Sequence, residues 1–138
     1  METISFDTGV REYGLPGGVL RFNPSDPQLI DRYLHCGERM SAVCSQLAAG
    51  EDITPVQLMV QVDGKLRQVL TWVFGPENDF QSILAGHNLL SLGENGQYLI
   101  VNLLSAVEPI LSQGAARCIQ TATDRAVAAA DARRAQQP

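Results

Sequence analysis

The sequence predicts an α+β, mainly α chain: a small N-terminal antiparallel β-hairpin or sheet followed by about four to five packed helices. Three observations carry this. Residues 3–23, TISFDTGVREYGLPGGVLRFN, alternate apolar and polar side chains around glycines, the period of a half-buried strand. Beyond Asn23 the apolar side chains recur every three to four residues, the spacing of one helix face. Prolines and glycines at 23–27, 54–55, 75–76 and 86 then cut that pattern into helix-sized pieces. With 138 residues and 15.0 kDa, one domain with a real core is expected. It comprises a globular part over 1–114 (1–24 β-hairpin region, 25–114 helical) and an Ala/Arg-rich C-terminal helix or frayed tail over 115–138.

Each element has a local reason. Ile4 and Phe6 share one side of a strand, as do Leu20 and Phe22, while Gly9 and Pro16-Gly17-Gly18 supply turns; two or three short strands follow. A sheet this small is marginal alone and must bury a face on helices or pair with another chain. Asn23-Pro24-Ser25-Asp26-Pro27 opens the first helix, because proline holds its predecessor extended and fits a first helical turn. Ser25 with Gln28 forms one possible cap and Asp26 before Pro27 the other. Leu29, Ile30, Tyr33, Leu34, Met40, Val43, Cys44 and Leu47 place that helix over 26–48, with a stop at Ala49-Gly50.

Thr54-Pro55 opens the second helix, whose stripe is Val56, Met59, Val62, Leu66, Val69, Leu70 and Val73. Asp63-Gly64 is also a hairpin signal. Helix is favoured because the apolar set stays in phase across Gly64, at a cost of about 1 kcal/mol relative to alanine. Gly75 stands where a left-handed C′ residue ends a helix, and Pro76 prevents continuation. Asn78 or Asp79 caps a short helix over 80–85 closed by Gly86, and residues 87–96 form a loop anchored by buried leucines. Tyr98, Val101, Leu104, Val107, Ile110 and Leu111 mark a further helix that Pro109 bends. An alanine-rich terminal helix, poor in large apolar groups, completes the chain and frays at its end.

Charge and motif chemistry narrow the function. The net charge is −5, distributed as 6 basic against 13 acidic side chains over 1–114 and 4 against 2 over 115–138. An acidic body disfavours nucleic acid as a partner, whereas the basic tail suits an acidic one. No unbroken apolar run approaches the ~20 residues of a membrane span, and the N-terminus lacks a basic-then-apolar leader, so a cytoplasmic protein without a membrane partner is expected. Cys36, Cys44 and Cys118 form an odd set without CxxC spacing, read as buried reduced thiols rather than disulfides or zinc ligands.

No catalytic, cofactor-binding or metal-binding residue is expected. His35 and Cys36 are sequence neighbours and point about 100° apart on a helix. His87 lies in a loop, the serines lack GxSxG, and phosphate-cradling glycine motifs are missing. Glu77 and Asp79 adjoin a helix N-terminus, where negative charge is favourable for local reasons.

The order of the pieces resembles the tail assembly chaperones of long-tailed siphophages and related prophages, over about residues 1–113. The likeness lies in FNPSDP at the first helix entry, Phe74-Gly75 followed by ILAGHN, and AVEPIL with its proline in the penultimate helix. The tail departs from it, being alanine- and arginine-rich where relatives carry lysine, as does the GPEND insert, so no binding residue transfers there. The resemblance implies a non-enzymatic protein that binds the tape measure protein, keeps it soluble and assists tail tube assembly in the host cytoplasm. Such proteins often occur in short and frameshifted longer forms. Candidate partner-binding positions are the apolar Trp72, Phe80, Leu89, Leu90 and Leu92 at the break and following loop, each of which could instead close the core there, with Arg125, Arg133 and Arg134 in the tail. Homo-oligomerisation is expected from the marginal sheet and thin tail. The alternatives are a tail completion or head–tail joining protein forming a ring and, behind it, a small enzymatic or ligand-binding domain.

Overall fold

The computed structural model describes residues 1–45 and 53–136. It shows the α+β, mainly α fold: strands β1 (Arg11–Leu15) and β2 (Gly18–Phe22), then helices α1 (Pro27–Cys44), α2 (Pro55–Phe74), α3 (Phe80–Ile83) and α4 (Leu99–Ala135). The strands pair antiparallel with Tyr13 opposite Leu20 and Leu15 opposite Gly18. Along β2, Leu20 and Phe22 point into the core and Val19 and Arg21 out, as the period-two pattern requires. α1 packs on α2 and α4, and the short α3 links α2 to β2.

The hairpin is fastened from two sides. At its turn, the Gly17 N–H donates to the Ile83 carbonyl at 3.0 Å. A side chain at Gly17 would stand 2.1 Å from the Ser82 carbonyl oxygen, so only glycine permits this approach. On the edge of β2, the Arg21 N–H donates to Asn78 Oδ1 at 2.8 Å and Asn78 Nδ2 donates to the Arg21 carbonyl at 2.9 Å. Asn78 thus substitutes for a neighbouring strand. An aromatic chain runs Tyr13, Phe22, Phe74, Phe80 with ring centroids 4.9, 5.1 and 5.9 Å apart, joining hairpin, α2 and α3 in one core.

Several expectations are sharpened or corrected. Asp26, not Ser25, caps α1: its Oδ1 accepts the Gln28 N–H at 3.0 Å, while Ser25 bonds to Asn23. The stop at Ala49-Gly50 lies outside the described residues. α2 passes through Asp63-Gly64 without a turn, and Thr54 and Gln57 form a reciprocal capping box at its start. Val56 is exposed and Leu58 takes the buried place of the first turn. Gly75 has the positive φ of +106°, but its ψ of 152° is a mirror-extended conformation rather than a left-handed helical one. The penultimate and terminal helices are one, because the backbone pattern continues unbroken past Pro109 and across 114–115.

No strand forms over residues 3–6. Gly9 turns the chain with φ +74°, and Asn23 Nδ2 donates to the Thr8 carbonyl at 3.0 Å. Together these steer the segment toward the 23–25 loop instead of along β1, leaving Ile4 86% and Phe6 75% exposed.

By length and composition alone α4 also passes as a membrane-spanning helix, although its sequence holds no long unbroken apolar run. Its apolar stripe Ile100, Val107 and Leu111 is committed to the protein core.

Candidate functional site

The apolar candidates separate into core and surface. Phe80, Leu89 and Leu90 are buried in the main hydrophobic cluster, so they close the core under the loop and are corrected as partner-contact candidates. The cause is a polar clamp that apolar periodicity does not reveal. Asp63 and Arg67, four residues apart on α2, pair at 2.9 Å with little exposure of either side chain. The Leu89 N–H donates to Asp63 Oδ1 at 2.7 Å, and the Arg67 guanidinium donates to the carbonyls of Phe80 and His87. The 80–90 segment is therefore drawn onto α2, and its leucines close the core. The signal present in the sequence is an Asp–Arg pair at i, i+4, which the competing turn signal of Asp63-Gly64 obscures.

Trp72 is half-buried, packed against the core with the Arg39 guanidinium 3.6 Å above its ring. Leu92 is 64% exposed and faces Tyr98 across an isolated bridge. Arg133 and Arg134 lie in the last turn of α4, where positive charge complements the helix dipole; Arg134 pairs with Asp131 at 3.3 Å on the open surface. These positions do not converge.

Arg125 does belong to a site. A groove of about 890 Å³ runs between the segment 7–13, the 23–25 loop and α4. Asn23 builds it: besides holding Thr8, its Oδ1 accepts the Ser25 N–H and hydroxyl at 2.9 and 3.0 Å. Gly114 of α4 lies against the Pro24 carbonyl, where a side chain would stand 1.7 Å away. That contact sets the crossing point, and beyond it α4 leaves the body with nearly every position exposed. Val10, Tyr13 and Ile110 give the groove apolar walls, and Arg11, Arg117 and Arg125 also line it.

Of the four arginines whose side chains make no hydrogen bond, ion pair or ring contact among the described residues, three line this groove and the fourth, Arg133, lies in the last turn of α4. Arg21 pairs with Glu12, Arg32 donates to the Val73 carbonyl, Arg39 covers Trp72, Arg67 clamps the 80–90 segment and Arg134 meets Asp131. Among the described residues, by contrast, the guanidinium groups of Arg11, Arg117 and Arg125 make no hydrogen bond or ion pair. One acid, Asp7, shares the groove, and its Oδ1 accepts the Gly9 N–H at 2.8 Å.

The remaining titratable groups have local duties. His35 Nδ1 lies 2.8 Å from the Asp31 carbonyl on an exposed face, and that contact raises its pKa. Burial raises that of the Cys36 thiol, the opposite of an activated nucleophile. Cys44 and Cys118 are half-buried rather than buried, and all three thiols are free. Asp79 is held below the usual carboxylate range by the Ser82 hydroxyl and then the Gln81 N–H, as the cap of α3.

Comparison with family models, curated proteins and solved structures gave no match.

Proposed function

We propose that this protein is a non-enzymatic phage tail assembly chaperone that binds the tape measure protein in the host cytoplasm and assists assembly of the tail tube around it. The observation that carries the reading is the outer half of α4. It stands free of the core, presents Ile119 and Val127 to solvent and brings basic charge to an otherwise acidic chain. A helix with exposed apolar side chains is suited to covering another helix reversibly. Modest anchors favour release, which a chaperone needs when tube subunits displace it.

Co-expression with the tape measure protein tests this. A soluble complex is expected, lost when Ile119→Asp and Val127→Asp are combined. No complex, with the partner soluble alone, overturns it. A second reading has one favourable observation: the outer edge of β1 carries no strand among the described residues, so the sheet offers a pairing edge for a permanent ring, as in a tail completion or head–tail joining protein. Stoichiometric presence in purified particles selects that reading, because a chaperone leaves.

A further inference from the structure

We infer that the basic groove beside α4 is the seat of the N-terminal arm, residues 1–6, of a second copy of this chain. The inference goes beyond the chaperone reading and stands independently of it.

The arm supplies the first half of the argument. In an extended segment residues two apart share a face, so Glu2, Ile4 and Phe6 present one carboxylate and two large apolar groups together. Among the described residues of the single chain nothing covers that face: Ile4 and Phe6 are among their most exposed apolar side chains. The arm contains neither proline nor glycine that would oppose an extended conformation.

The groove supplies the second half. Its apolar walls match Ile4 and Phe6, and its three unpaired arginines match Glu2. Three of the four arginines unpaired among the described residues gather here, so the groove favours an extended occupant that sets a carboxylate beside apolar side chains, as Glu2, Ile4 and Phe6 do. At about 3.3 Å per residue the arm spans roughly 20 Å, enough to follow several turns of α4. Its root lies at the groove itself, since Asn23 pins Thr8 and the 7–13 segment forms one wall. Each copy thus carries arm and groove side by side, the condition for a reciprocal two-fold exchange.

Sedimentation of the full chain across a range of concentrations should show a monomer–dimer equilibrium. Phe6→Asp should weaken it at least ~10-fold, as loss of a buried aromatic anchor does, and the exposed pair Arg117→Glu with Arg125→Glu should do the same. Cys118 lines the groove and gives a geometric readout. Oxidation of Phe6→Cys or Ile4→Cys should yield a covalent dimer that disappears when Cys118→Ala is added. A monomer at every concentration, dimerisation unchanged by either charge variant, a disulfide formed within one chain, or no Cys118-dependent disulfide from either position overturns the proposal.

Discussion

At the scale of single residues, the side chains that hold the molecule together are polar ones whose partners lie far away in sequence. Asn78 is 3% exposed and satisfies three backbone groups: the Arg21 N–H and carbonyl on one side and the Phe74 carbonyl, at 3.1 Å, on the other. In the sequence Asn78 stands out only as a possible helix cap, because an asparagine before an apolar run is a local signal. Its actual role depends on a strand edge 57 residues away, which no local pattern encodes. Asp79 supplies the cap instead. Replacing Asn78 with alanine leaves the Arg21 and Phe74 groups facing the protein without partners. Each such orphan costs about 1–3 kcal/mol, so Asn78→Ala should lower unfolding stability by roughly 2–4 kcal/mol in urea titration, with the urea dependence unchanged. Asn78→Asp should fare no better, because it keeps the acceptor for Arg21 but loses both donated bonds and buries a charge.

At the scale of elements, what was legible is what short-range chemistry determines. Thr54-Pro55 with Gln57, Asp26-Pro27, and Gly75-Pro76 mark helix ends correctly because caps and proline geometry act within one turn. The phase of Val62, Leu66, Val69, Leu70 and Val73 carries α2 through Gly64 for the same reason. Close approaches between elements were not legible, and the glycines show the difference. Gly64 sits in helix with open space where a methyl group would stand, whereas Gly17 and Gly114 each lie against another segment's backbone. Gly64→Ala should therefore stabilise by about 0.5–1 kcal/mol through helix propensity alone. Gly17→Ala and Gly114→Ala should destabilise by about 1–3 kcal/mol or more, since backbone must shift to admit the methyl. Thermal melts of the three variants check the contrast. Equal effects would mean that neither the hairpin turn nor the α4 crossing depends on close backbone approach.

At the scale of the whole molecule, the body and the outer half of α4 obey different rules. The core is one cluster spanning hairpin, α1, α2, α3 and the first turns of α4. It was legible as periodic apolar stripes, and the loop leucines were legible as anchors, whereas what fastens them was not, since Asp63 and Arg67 draw them in through contacts distant in sequence. The candidate site was legible only at Arg125, because a groove needs three chain segments to meet: Arg11 and Arg117 carry no motif, and Asn23 stood out only as part of the helix entry. The last fully buried position of α4 is Gly114; Ala115 and Cys118 are half-buried, and the residues beyond are almost all exposed. A helix that buries nothing adds little to folding, and an isolated helix of this length is marginal even when alanine-rich. Ending the chain after Cys118 should thus leave the stability of the monomer in urea within about 0.5 kcal/mol of the full chain, while removing helical circular dichroism. Ending it after Pro109 should unfold the protein, because Leu111 and the Gly114 contact with Pro24 go with it. The shorter cut also deletes Ile119, Val127 and Arg125, so a chain ended after Cys118 should remain folded yet fail to hold the tape measure protein in solution. A folded truncated chain that still binds would move the partner surface to the body, toward Trp72 and Leu92, and would remove α4 from the proposed function.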